Sequence, residues 1–129
     1  MVARRHKNDD IKTFARYTLK GYGNNMLFVE AKPFTRRLPD YLTDDEYREF
    51  QNYLTTTPDS GDVVQNTGGI RKVRWKLKGS GKRGGLRAIY FWHVRDSHIY
   101  LLFIYRKNEF EDLEKDEYAA LKSIVERWK

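Results

Sequence analysis

A chain of 129 residues with 40% hydrophobic and 33% charged side chains has the size and apolar content of one folded domain, which excludes wholesale disorder. It holds no cysteine, so disulfide frameworks, thiol nucleophiles, iron–sulfur clusters and cysteine-containing zinc sites are excluded, and a reducing cytoplasm is the expected location. Twenty-five Lys and Arg against 18 Asp and Glu leave a net charge of +7, a balance that points to a phosphate-bearing partner.

Asp10 as a cap, Ile11, Phe14 and Ala15 on one face and Gly21 as a stop predict a short amphipathic helix over 10–20. Gly21, Gly23, Asn24 and Asn25 read as a linker, and 26–29 as a short strand. At Thr43-Asp44-Asp45-Glu46 the Thr43 hydroxyl and the Glu46 carboxylate can satisfy free backbone N–H groups reciprocally. A helix over 44–54 follows, with Tyr47, Phe50 and Leu54 on one face, and Pro58-Asp59-Ser60-Gly61 ends it in turn residues.

From Ile70 the hydrophobic period becomes two. Residues 71–78 alternate, which places Lys72, Arg74, Lys76 and Lys78 on one face and Val73, Trp75 and Leu77 on the other. A basic, glycine-rich loop over 79–85 leads to a strand over 86–93, and Arg95-Asp96-Ser97 marks a hairpin turn before a strand over 99–105. That last strand is apolar on both faces and is expected at the centre of the sheet. Its seven residues are also the longest apolar run, far short of the roughly 20 that span a bilayer, so no membrane partner is expected. A C-terminal helix over 116–128 carries Tyr118, Leu121, Ile124, Val125 and Trp128 at helical spacing. The predicted class is α+β, a small antiparallel sheet with helices packed on one side.

Charge falls in blocks: +4 over residues 1–25, −4 over 26–66, +10 over 67–108 and −3 over 109–129. Lys72, Arg74, Lys76, Lys78, Lys82, Arg83, Arg87, Arg106 and Lys107 lie on elements that a compact sheet brings together. Like charges facing each other destabilise a sheet unless a polyanion relieves them. Such a cluster has the chemistry to cleave RNA without metal. A 2′-hydroxyl loses its proton, attacks the adjacent phosphate in line and expels the 5′-oxygen, while Arg and Lys stabilise the negative charge of the transition state. A lysine crowded by other cations has its charged form disfavoured, which makes its amine available as a base.

Other motifs carry less. The string Gly79-x-Gly81-x-x-Gly84 feeds a strand rather than a helix and lacks the Gly-Lys-Ser/Thr ending of a phosphate loop, so no nucleotide cofactor is expected. His93 and His98 flank the hairpin turn without a third clustered ligand, so no metal is expected. Of the aromatics at strand spacing, most belong to the core, and Trp75 and Tyr105 are the best placed to stack on bases.

Four segments together resemble the HigB-type toxins of the RelE/ParE superfamily. They are the run Gly61-Asp62-Val63-Val64-Gln65-Asn66-Thr67-Gly68-Gly69-Ile70-Arg71-Lys72-Val73-Arg74, the loop Gly81-Lys82-Arg83-Gly84-Gly85 with Arg87, the run Ile104-Tyr105-Arg106-Lys107-Asn108-Glu109, and the helix entry Tyr41-Leu42-Thr43-Asp44-Asp45-Glu46-Tyr47. The resemblance covers about Met26 to Trp128. It implies a RelE-like fold, a small twisted antiparallel sheet flanked by helices. It also implies the toxin of a type II toxin–antitoxin module, a ribosome-dependent, metal-independent endonuclease that cuts mRNA in the ribosomal A site without a cofactor. The implied partners are the ribosome, its mRNA and a HigA-like antitoxin with a helix-turn-helix domain.

By position, the family's catalytic cations fall on Lys72, Arg74 and Arg87, and its basic residue after the last strand falls on Lys107 or its neighbour Asn108. Lys72 and Arg74 would position RNA and share proton transfer, and Arg87 would hold the scissile phosphate. Lys76, Lys78, Lys82, Arg83, Arg106 and Asn108 extend the implied RNA-binding surface. The C-terminal tyrosine of the RelE branch falls at Glu114, with Tyr118 a turn later. The toxin domain is thus expected at 26–129, and residues 1–25 are either an upstream extension or a basic arm that adds affinity for RNA or ribosome. The rival expectation is binding without catalysis, as in a ParE-like gyrase poison or a nucleic-acid-binding module, for which a full catalytic cation set is unnecessary.

Overall fold

The computed structural model describes residues 17–20, 26–76 and 85–128. In chain order these form β1 (Tyr17–Lys20), β2 (Leu27–Glu30), α1 (Lys32–Arg37), a 3-10 turn (Leu38–Asp40), α2 (Asp44–Thr56), β3 (Asp62–Val63), β4 (Ile70–Trp75), β5 (Leu86–His93), β6 (His98–Arg106) and α3 (Lys115–Trp128). The strands make one six-stranded sheet in the order β1-β2-β6-β5-β4-β3, with β6 and β5 at its centre. The class is α+β, as the alternation and the helical spacing predict. Among the described residues no helix is long and apolar enough to cross a membrane.

Three expectations change. Tyr17–Lys20 is a strand paired antiparallel with β2, where a helix was expected over 10–20; residues 10–16 lie outside those described. The unpaired edge of β2 offers a full row of backbone partners, and Tyr17, Thr18 and Leu19 suit a pleated surface, so pairing prevails over weak helical periodicity. The sheet is antiparallel except where β2 runs parallel to β6, a pairing that the long excursion through both helices and three strands permits. The helices, expected on one side, cover both faces.

On one face Phe34, Tyr47, Phe50 and Leu54 of α1 and α2 pack against Phe28, Val73, Ala88, Tyr90, Ile99 and Leu101. On the other, Tyr118, Leu121 and Val125 of α3 pack against Ile70, Ile89, Phe91, Leu102 and Phe103. The pairing of β5 with β6 slips by one residue at Ile89/Tyr90, so Leu102 is an extra residue and lies on the α3 face together with Phe103. Residues 99–105 of β6 are all buried, which explains a strand without polar alternation.

Local chemistry sets the helix and turn positions. The capping box of α2 is complete: Glu46 N–H donates to Thr43 Oγ1 at 3.2 Å and Thr43 N–H to Glu46 Oε1 at 2.8 Å. Between β3 and β4 the chain turns through Asn66 (φ 64°), Gly68 (φ 73°) and Gly69 (φ 111°), a left-handed run that Asn and Gly tolerate. The buried Thr67 hydroxyl closes this turn, donating to Val64 O at 2.6 Å and accepting from Ile70 N–H at 3.1 Å. Glu30, at the end of β2, is buried and accepts from Thr35 Oγ1 and Tyr47 Oη at 2.6 Å each, tying β2 to both helices above it. Burial and the Glu30 carboxylate together push the Tyr47 hydroxyl well above its usual range.

Candidate functional site

The period-two alternation of β4 sends Lys72 and Arg74 to the same face as Ile70, the face that α3 covers further along. In register, Arg74 stands directly opposite Arg87 on β5, and Arg87 stands opposite Tyr105 on β6. Residues paired across strands share a face, so Lys72, Arg74 and Arg87 converge. Lys107 joins them from the turn after β6. Its N–H donates to Gly85 O at 3.3 Å, and Arg87 Nη1 reaches the same carbonyl at 3.3 Å. A Cβ at Gly85 would lie 3.2 Å from Arg87 Nη1, close enough that the guanidinium would have to shift by a few tenths of an ångström.

The result is a cleft of about 700 Å³ lined by all four expected catalytic cations, Lys72, Arg74, Arg87 and Lys107. Tyr53 of α2, Asp62 and Glu111 complete the walls that matter for charge and stacking. Its volume is in the range that takes a small ligand or one unit of a polymer. Arg87 is 9% exposed, so its guanidinium is largely desolvated, while Arg74 is exposed. Two arginines directly opposite, one of them buried, form a focused positive field suited to a phosphate.

The remaining expected RNA-binding residues are dispersed. Lys76 is exposed just beyond β4, and Asn108 is exposed in the turn after β6. Arg106 turns away from the cleft and places its guanidinium 5.3 Å from the ring centre of Tyr41 on the α1 side, as strand alternation requires. Lys78, Lys82 and Arg83 lie outside the described residues. Tyr105 is fully buried against Phe110 and offers no ring for stacking on a base. Burial and the nearby Asp112 charge raise its hydroxyl well above the usual range, against the opposing pull of Arg87. Trp75 packs its ring against Phe50 at 5.3 Å and Tyr53 at 5.2 Å.

Lys72 is not a lysine surrounded only by cations. Its Nζ is 3.1 Å from Asp112 Oδ2, in the loop before α3. Asp112 Oδ1 accepts from Tyr118 Oη at 2.5 Å and from Leu113 N–H at 2.8 Å. Burial pushes the Asp112 carboxyl up, but the bonds from Tyr118, Lys72 and Leu113 outweigh it and hold the group below its usual value. Tyr118 is raised by burial and by this same carboxylate.

A second network braces the turn that carries Lys107. Arg37, at the end of α1, donates from Nε to Ile104 O at 2.7 Å, a carbonyl beyond the reach of the short strand β2. Its Nη2 is 3.0 Å from Glu109 Oε2 and donates to Tyr41 Oη at 2.7 Å, while Tyr41 Oη donates to the other Glu109 oxygen. Arg106 N–H donates to Glu109 Oε1 at 2.8 Å, so the carboxylate closes the turn around Lys107. None of Arg37, Tyr41, Glu109 and Asp112 carries a signal of its own role in the sequence. Tyr118 reads there as one position of an apolar stripe and as the tyrosine a turn after Glu114, where the RelE branch carries its C-terminal tyrosine; in the structure its hydroxyl is given to Asp112.

His93 and His98 face each other across the β5–β6 hairpin, and His93 Nδ1 accepts from Asp96 N–H at 3.3 Å. Among the described residues no cluster of three or more His, Asp or Glu side chains forms a candidate metal site. The cleft presents cationic hydrogen-bond donors, and these suit an anion whose charge grows during a reaction. Residues 59–129, which contain all four cleft cations, match the family model described as the RelE toxin of the RelE / RelB toxin-antitoxin system.

Proposed function

The chain belongs to the RelE toxin family and is the toxin of a toxin–antitoxin pair, and from that premise we propose that it is a HigB-type, ribosome-dependent mRNA endonuclease. The observation that carries this reading is the convergence of Lys72, Arg74, Arg87 and Lys107 on one cleft from three separate chain segments. In the proposed reaction an RNA 2′-hydroxyl gives up its proton and its oxygen attacks the adjacent phosphorus in line. The bond to the 5′-oxygen breaks, and that oxygen takes up a proton, which leaves a 2′,3′-cyclic phosphate and a 5′-hydroxyl. Arg87, desolvated and held on backbone carbonyls, meets the scissile phosphate with little reorganisation, and Arg74 opposite it shares the developing charge. Lys72 and Lys107 bind the flanking phosphates and take part in proton transfer. The charge stabilisation comes from the chain's own cations, so the proposed reaction is metal-independent.

The cleft is open to solvent and built for phosphates rather than for base edges, which supports a nuclease that depends on the ribosome to present the strand. Lys76 and Asn108, and Lys78, Lys82 and Arg83 on the adjoining segment, extend the proposed contact with RNA. A HigA-like antitoxin would silence the toxin in the cytoplasm. Residues 1–25 would act as an extension of a toxin domain at 26–129, with β1 tying part of it to the sheet edge.

The test is a cell-free translation reaction with mRNA 5′ ends mapped by primer extension, and ribosome-free mRNA as control. Cuts within codons only when ribosomes are present are expected, and the Lys72→Ala/Arg74→Ala/Arg87→Ala variant should leave mRNA intact. Intact mRNA with the native protein, accompanied by inhibited gyrase, would replace this reading with that of a gyrase poison.

A further inference from the structure

We infer that Asp112 is a positioning residue for the RNA cleavage, acting through Lys72, and that Tyr118 fixes it for that role; the inference rests on the nuclease reading above. Lysine carries four rotatable side-chain bonds, and an unrestrained ammonium at the lip of an open cleft would occupy many positions. Here it does not, because Asp112 Oδ2 holds Nζ at 3.1 Å. The carboxylate is itself fixed. Its other oxygen takes two donors, Tyr118 Oη and Leu113 N–H, and the Tyr118 ring is buried in the core beneath α3. A chain of contacts therefore runs from the packed face of α3 to one cation of the cleft.

Geometry favours orientation over neutralisation. An ammonium has three N–H donors, and the bond to Asp112 leaves two for phosphate oxygens. Two carboxylates line the cleft, Asp62 opposite Lys72 on β3 and Glu111 beside Asp112, yet it is Asp112, outside that lining, that pairs with Lys72. Tied on its far side by two donors, Asp112 stays in place when a phosphate arrives, and Lys72 meets the substrate already aimed. The contribution belongs to the rate of the bound complex rather than to binding, since the pair lowers the disorder of a reacting group.

The experiment is a double-mutant cycle on single-turnover mRNA cleavage by ribosome-bound full-length protein, with Asp112→Asn, Lys72→Ala and the combined variant. Asp112→Asn keeps an acceptor for Tyr118 and removes the ion pair. It should slow cleavage roughly tenfold without changing the ribosome concentration at half-maximal rate, and it should have no further effect in the Lys72→Ala background. Asp112→Glu should restore part of the rate, and Tyr118→Phe should lower it by a smaller factor. Equal losses in both backgrounds, or no loss from Asp112→Asn in either, would overturn the inference while leaving the nuclease reading intact. A faster Asp112→Asn variant would overturn it too, because Asp112 would then compete with phosphate for Lys72. If the native protein leaves mRNA uncut, it is the nuclease reading that fails, and this inference falls with it.

Discussion

Glu109 shows how one carboxylate can hold a functional turn. It receives Arg37, the Tyr41 hydroxyl and the Arg106 N–H, and it sits two residues after Lys107. Burial raises its carboxyl, yet these three donors prevail and keep it below the usual value. A depressed carboxyl contributes stability that is fully present above its unfolded value, about pH 4 to 5, and is lost as pH falls through the folded value. The melting temperature of the native protein should therefore drop on acidification from about pH 6 to about pH 3.5. Glu109→Gln should melt lower at the higher pH and respond less to acid, and a variant as acid-sensitive as the native protein would exclude this network as a source of the effect. Nothing in the sequence singles out the Arg37–Glu109 pair, because its members are 72 residues apart and meet only once α1 docks on β6. The cations of the cleft are different. Their number, sign and strand spacing are visible along the chain, and Lys72 and Arg74 fall on one face by alternation alone.

At the scale of elements, local signals and backbone agree wherever the signal has a mechanism. Thr43 and Glu46 announce the start of α2, and both reciprocal bonds are present. Replacing Thr43 by Ala should cost about 1 kcal/mol of stability by leaving the first-turn N–H groups without a partner. The cap lies at the far end of a 13-residue helix from Tyr53, so mRNA cleavage by that variant should match the native rate at temperatures where it is folded. A thermal melt together with the cleavage assay checks both. Strands β5 and β6 and helix α3 were legible for the same reason, a clear period bounded by turn or cap residues. Residues 10–20 had only a short apolar pattern and one cap, and Tyr17–Lys20 took the strand conformation that the edge of β2 could satisfy. Helices on both faces could not be read from one-dimensional spacing either. β6 is apolar on both sides, which demands two covers but does not say which helix supplies which.

At the scale of the molecule, the fold keeps a cost that the proposed function would explain. Arg74 and Arg87 stand opposite each other at one end of the β4–β5 ladder, where like charges repel. Neutralising the exposed member, Arg74→Gln, should raise stability by ~0.5 kcal/mol while lowering cleavage. The gain should shrink at high salt, where the repulsion is screened. Denaturant melts at two ionic strengths would show it, and a destabilised Arg74→Gln protein would mean that the pair is compensated within the fold. The same field would draw the polyanion of the proposed reaction, whose binding would relieve the repulsion.

The sequence alone determined the class of fold, the strands and helices with strong periodicity and the concentration of positive charge over 67–108, from which the proposal of a phosphate-bearing partner starts. All of these depend on residues close together along the chain, or on composition. Only the tertiary structure decided that both faces of the sheet are covered, that β2 runs parallel to β6, that Arg106 leaves the cleft and that Tyr105 is buried. It alone joined Lys72 to Asp112 and Arg37 to Glu109. Such contacts arise from the docking of distant elements, where burial and hydrogen-bond satisfaction select among arrangements that local pattern leaves equal.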